Sequence, residues 1–192
     1  KGIIRPTLYD FLAHEALNFF ETASFQLPTP IDVFSADDPR YFGSTSEFSQ
    51  LNFETPDSLS TTFYAFTIHR DLAKFHANDK SHDALIQLAI RRLDFVRRQS
   101  TVEEKESLYF AALNKLTETY PTHSNTSEVF YKMAVFLNQR GDQSSKEDET
   151  YRFEKKRAFE LCKQTIERFP ESIGANLCKS LQNEIERKVV SF

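Results

Sequence analysis

The sequence predicts an all-α protein in which antiparallel helix pairs stack into a short solenoid, and three observations predict it. Apolar residues recur at three- and four-residue spacing through most of the chain. Glycine is scarce, with 4 in 192 residues, which disfavours a turn-rich β sandwich and leaves long segments unbroken. Twice an aromatic residue followed by proline closes one helical stripe and opens another, at Tyr120-Pro121 and Phe169-Pro170. Hydrophobic residues make up 40% of the chain, enough for a sizeable core, and the 19 Phe and 7 Tyr point to a core of large rings. One helical domain is expected over 1–192, as a segment of a larger protein.

Pro6 and Thr7 open a first helix within 1–25, with Leu8, Phe11, Leu12, Ala16 and Phe19 as its apolar stripe. Residues 26–56 carry Pro28, Pro30, Pro39, Gly43 and Pro56 and read as an irregular, aromatic-rich arm. An arm of that length does not hang free in a compact domain. Its Phe34, Tyr41, Phe42, Phe48 and Phe53 are expected to pin it to the helices.

Stacked helix pairs fill 57–192. Tyr64, Ile68, Leu72 and Phe75 mark one stripe; Ile86, Ala89, Ile90, Leu93 and Val96 mark the next. Thr101-Val-Glu-Glu104 has the capping-box form and is expected to open a helix bearing Leu108, Tyr109, Ala112, Leu113, Leu116 and Tyr120. Another helix runs from about Ser127 to Arg140, with Gly141 as a left-handed stop. The polar run 142–150 is a loop, and helices near 151–169 and 172–188 bring the total to about seven.

The end of the chain repeats itself. Phe130, Met133, Ala134 and Leu137 follow Pro121; Gly174, Leu177, Cys178 and Leu181 follow Pro170. Both sets run i, i+3, i+4, i+7 with a small residue at i+4, as in a tetratricopeptide repeat, where that residue lets the paired helix come close. Ala158 stands where such a repeat places its second small residue; Tyr109, at the equivalent point of the earlier repeat, departs from the pattern. Helix pairs of this kind bury their faces only by stacking. Cys162 and Cys178 each lie eight residues from Pro170, so in an antiparallel pair they stand at equal height and are expected to touch. That contact is either a disulfide or two thiols acting as small core hydrophobes.

Several function classes lose support. A net charge of −4 disfavours a nucleic-acid surface. Arg91, Arg92, Arg97 and Arg98 cluster within a helix and read as a solvated face. No apolar run approaches the ~20 residues of a membrane span. His14-Glu15 begins like a zinc-protease HExxH, but Asn18 stands where the second His belongs. His69 and His76, with Asp71 and His82 nearby, are read as exposed or capping residues ahead of a metal site. No phosphate loop, nucleophile elbow or CxxC pair occurs. The chain is expected to be non-catalytic, with no cofactor and no metal.

Three segments carry a family resemblance: RPTLYDFLAHEALNFF (5–20), YFAALNKLTETYP (109–121) and RAFELCKQTIERFPESIGANLCKSLQNEI (157–185). Together they resemble the N-terminal helical, tetratricopeptide-like region of large alpha-2-macroglobulin-like proteins of Bacteroidetes. The resemblance is weakest in the arm at 26–56. It implies a structural or protein-interaction module in an exported, protease-inhibitor-like parent, in the periplasm or anchored to the outer membrane. Its implied partners are the rest of the parent chain, proteases or envelope proteins. No Cys-Gly-Glu-Gln thioester motif occurs in this chain. Export would also favour oxidation of Cys162 and Cys178. The alternative is a tetratricopeptide adaptor gripping a peptide in its concave groove.

Overall fold

The computed structural model describes residues 7–22, 34–144 and 150–190, with side chains to 187. Among these the protein is all-α: α1 (Leu8–Phe20), a 3-10 turn (Pro39–Phe42), α2 (Thr45–Ser49), α3 (Thr61–His76), α4 (Asp83–Gln99), α5 (Lys105–Thr119), α6 (Thr126–Gly141), α7 (Glu154–Arg168) and α8 (Ile173–Val190). Eight α-helices thus stand where the periodicity predicts about seven, the additional one being the short α2 inside the arm. The single extended pairing described is the isolated bridge Ala36–Ser100. Packing divides the chain into two compact units, 1–112 and 113–192, where one domain is expected over 1–192. Each has a core of its own.

In the first unit, α1 packs on α3, and α2, α3 and α4 pack in sequence. Thr7 starts α1 through a capping box: its hydroxyl accepts from the Asp10 amide at 3.1 Å, and its own amide donates to the Asp10 carboxylate at 3.0 Å. Ser44 and Glu47 repeat the device at α2. The described part of the arm is pinned by rings, as expected. Phe34, Tyr41, Phe48 and Phe53 surround Phe66 of α3 with centroids 4.9–6.0 Å away. These are edge-to-face and tilted contacts, the geometry that aromatic quadrupoles favour. Phe42, Phe48 and Phe53 are buried.

Two local expectations fail. The capping box at Thr101–Glu104 does not form: α5 begins only at Lys105, and the Thr101 amide donates to the Ala36 carbonyl at 3.2 Å. The arm claims the backbone group that the helix start would have used. Gly141 is not a left-handed stop either. It ends α6 from within, and no described glycine has positive φ. Its value is room: a Cβ there would lie 2.5 Å from Lys155 Cγ and 3.0 Å from the Lys155 amide.

In the second unit α6, α7 and α8 pack against one another. The residue that permits this is Gly174. A Cβ at that position would drive into the Ser127 carbonyl and stand 2.5 Å from the Glu128 amide, so α8 meets the α6 backbone itself. Ser172 starts α8, accepting from the Ala175 amide at 3.1 Å while its hydroxyl donates to the Phe169 carbonyl at 2.8 Å.

Candidate functional site

Helix α1 is built inside out. Leu8, Phe11, Leu12 and Phe19, four residues of its apolar stripe, are exposed, Leu8 at 72% and Leu12 at 57%. The opposite face, Asp10, Ala13, His14 and Leu17, is buried against α3. The stripe lies one half-turn from a face that carries an acid and a histidine. At the flanks rings extend the apolar surface: exposed Tyr9 and Phe75 meet tilted at 4.8 Å, and half-buried Phe20 stacks on exposed Tyr64 at 5.1 Å.

Beneath α1 sits a network of ionisable groups. Glu21, just past the helix end, accepts from His69 Nε2 of α3 at 2.8 Å and from Arg91 Nε of α4 at 3.0 Å. Arg91 also donates to His14 Nδ1 at 3.1 Å and to the Asn18 side-chain Oδ1 at 2.9 Å. Two turns further along α3, His76 lies between two carboxylates, with Asp10 2.7 Å from Nε2 and Asp79 2.7 Å from Nδ1. The Asp10 approach is close but out of line for a hydrogen bond.

The protonation states follow from burial. His69 is 1% exposed. Desolvation lowers its pKa below the usual 6.5, against the pull of Glu21 and with Arg92 and Arg91 nearby. Its Nδ1 has no hydrogen-bond partner, so a proton there would be a buried, unsatisfied donor. Burial alone would raise Glu21, but hydrogen bonds from His69 and Arg91 outweigh it and hold the carboxyl below its usual range. Asp10 behaves alike: burial raises it, and the two Thr7 hydrogen bonds and His76 bring it down.

The solvated-face reading of the arginines is corrected. Arg92 is fully buried, donating to the Tyr41 carbonyl at 2.6 Å and the Gly43 carbonyl at 2.7 Å, with its guanidinium 4.5 Å over Phe48. Desolvation pulls its pKa down to about 9. It closes the 3-10 turn of the arm by satisfying two carbonyls that no helix continues. Arg97 pairs with Glu106 at 2.7 Å; Arg98 alone of the four is exposed. His69 and His76 are likewise buried and paired rather than exposed or capping. Among the described residues no three His, Cys, Asp or Glu side chains converge as a metal ion requires.

The repeat-packing residues all lie in the second unit. Met133, Ala134, Leu137, Ala158, Gly174 and Leu181 are buried; Phe130 and Leu177 are half-buried; Pro170 is exposed at the turn. Phe130 lies 6.3 Å from Phe169, joining the start of α6 to the end of α7. Cys162 and Cys178 are free thiols, both wholly buried and lying against each other. Their mutual contact and burial push the Cys162 thiol above the ordinary value.

Sequence reasoning missed Asp10, Glu21 and Arg91 as a set. Their partners across the helices are 48 to 77 residues away in the chain, and the available signal was only that the second face of α1 carries Asp10 and His14 beside Ala13 and Leu17. No described helix is long and apolar enough to cross a membrane. Compared with protein-family models, curated proteins and solved structures, the chain matches none.

Proposed function

We propose that this chain is a non-catalytic protein-interaction module that engages its partner through the outer face of α1. The observation that carries the reading is the exposed stripe Leu8, Phe11, Leu12 and Phe19 on a helix whose buried face is charged. Scattered apolar residues are ordinary on a protein surface; a full stripe on one helix marks an interaction surface. A protein partner fits better than a lipid surface. Residues 8–20 contain no Lys or Arg, and Glu15 lies within the stripe, whereas helices that rest on membranes carry basic polar faces. Absence of catalysis is supported by the same network. His69 Nε2 and the Arg91 guanidinium are held by the Glu21 carboxylate, and His69 is 1% exposed.

The setting we propose is an exported, alpha-2-macroglobulin-like, protease-inhibitor-like parent, with the partner surface supplied by that parent, by a protease or by an envelope protein. This part rests on the sequence resemblance of segments 5–20, 109–121 and 157–185. It requires β-type alternation in the parent's residues after Phe192; further helix pairs of about 34 residues there would favour the adaptor instead. The interaction is tested with a photo-crosslinking amino acid in place of Phe11 in the native host. The reading expects one discrete protein adduct, lost on combined L8Q, L12Q and F19Q substitution. Only lipid adducts, or protein adducts unaffected by those changes, overturn it.

A further inference from the structure

We infer that Cys162 and Cys178 are an oxidisable pair whose disulfide staples α7 to α8. The inference is independent of the partner proposed for α1. Three observations place the two sulfurs together. First, both residues stand eight positions from Pro170, one on each arm of the turn closed by the Ser172-to-Phe169 amide hydrogen bond of 3.0 Å. Second, Gln182 Nε2 donates to the Phe159 carbonyl at 3.2 Å, one turn further from the turn, which fixes the register of the two helices separately. Third, the buried residues within one turn of the pair are small, Ala158 and Thr165 on α7 and Ala175 on α8, and Thr165 lies against Cys178. Side chains this small let helices approach more closely than the usual 8–10 Å between axes. A disulfide needs that approach, since its Cα atoms stand within about 7 Å.

Competing uses of the pair are poorly served. A nucleophile or redox catalyst must be reached by its substrate, and both cysteines are 0% exposed. A metal ion needs further ligands, and among the described residues no third His, Cys, Asp or Glu converges on the pair. What buried thiols in contact can do without a third party in the fold is bond to each other. The oxidant is a small-molecule disulfide or the disulfide of an oxidoreductase, reached while the two helices are transiently apart or not yet closed. One cysteine thiolate attacks a sulfur of that disulfide, forming a mixed disulfide and releasing one thiolate. The second cysteine thiolate then attacks the first cysteine's sulfur and expels the other thiolate. Both protein protons pass to the released thiolates, and the oxidant is reduced by the two electrons that the protein pair loses.

The bond closes a loop of about 15 residues, for which the chain-entropy relation gives on the order of a hundredfold smaller unfolding constant. The test incubates the reduced, folded chain with oxidised glutathione, then alkylates in denaturant with N-ethylmaleimide and measures the intact mass. The expected product is a monomer lighter by two hydrogens, without maleimide adducts, whose proteolytic digest links the Cys162 and Cys178 peptides. Its urea transition should lie above that of the same sample in reductant. The C178S chain, treated identically, should show no such gain. Two maleimide adducts per chain, a covalent dimer, two glutathione adducts, or an oxidised chain no more stable than the reduced one would each overturn the proposal.

Discussion

At the scale of single residues, the most constrained position is Gly174. Its constraint is not conformational, because its φ is ordinary. The constraint is the Ser127 and Glu128 backbone lying where a side chain would begin. Overpacking against side chains costs about 1–3 kcal/mol. Here the obstacle is main chain within a helix, which cannot rotate away, so Gly174→Ala should cost about 3 kcal/mol or more. Urea unfolding measures this directly, and a cost below about 1 kcal/mol would mean that α8 shifts along α6 freely. Cys178, one turn further along, sits at the position where a tetratricopeptide repeat keeps a small residue. Two small residues of α8 therefore serve two neighbours, Gly174 facing α6 and Cys178 facing α7.

At the scale of elements, α1 offers a controlled comparison between two leucines. Leu17 is wholly buried and Leu12 is 57% exposed, on one helix and of one residue type. Leu17→Ala should cost about 2–5 kcal/mol through lost burial and the cavity left behind. Leu12→Ala should stay within about 0.5 kcal/mol, as exposed substitutions do, with the higher helix propensity of Ala offsetting small losses. Thermal or urea denaturation of the two variants decides the matter, and equal losses would place the stripe inside. The neighbouring arm shows the reverse economy: Tyr41, Phe48 and Phe53 are held by ring contacts, while Arg92 supplies the polar closure. An element with little regular hydrogen bonding thus keeps its place through one cation and a cage of rings.

At the scale of the whole molecule, the two units should answer acid differently. His69 is depressed below 6.5, so the folded state favours its neutral form. That contribution is full above pH 6.5 and is lost as pH falls from there through the depressed folded value. Asp10 and Glu21 are depressed below 3.8 and 4.5, so theirs is full above those values and is lost at still lower pH. All three signs agree: acid loosens the attachment of α1. Amide hydrogen exchange, corrected for intrinsic rates, should therefore quicken in α1 near pH 5 while α7 and α8, joined by a small apolar seam, stay protected. Equal change in both units would count against the buried network as the source.

Much of this architecture was legible in the sequence because helical periodicity and proline breaks are local signals. The stripe of α4, the turn at Pro170 and the meeting of Cys162 with Cys178 follow from spacing, whereas of the stripe expected on α3 only Leu72 is buried, with Tyr64 and Phe75 exposed. What was not legible depends on distant partners. A stripe reveals that a helix has two faces, not which one turns inward, and α1 turns its charged face in because Arg91, His69 and His76 await it there. The same holds for Arg92, whose acceptors lie 51 and 49 residues away. Thr101 lost its expected capping role to Ala36, again across a long separation.

The reversed facing of α1 has a thermodynamic consequence. Denaturant sensitivity and heat-capacity change both scale with the apolar surface that an opening exposes. When α1 lifts away, its stripe is already in water, and the newly wetted area is chiefly Ala13, Leu17 and charged groups. Its opening should carry a small urea slope and a small heat capacity, and salt should change it little, because the pairs made by Glu21 and Asp10 are buried and screened far less than surface pairs. In native-state exchange against urea, the α1 amides should trace a nearly flat line that added salt leaves in place. A helix attached in this way is indifferent both to the agent that unfolds proteins and to the ions that surround them.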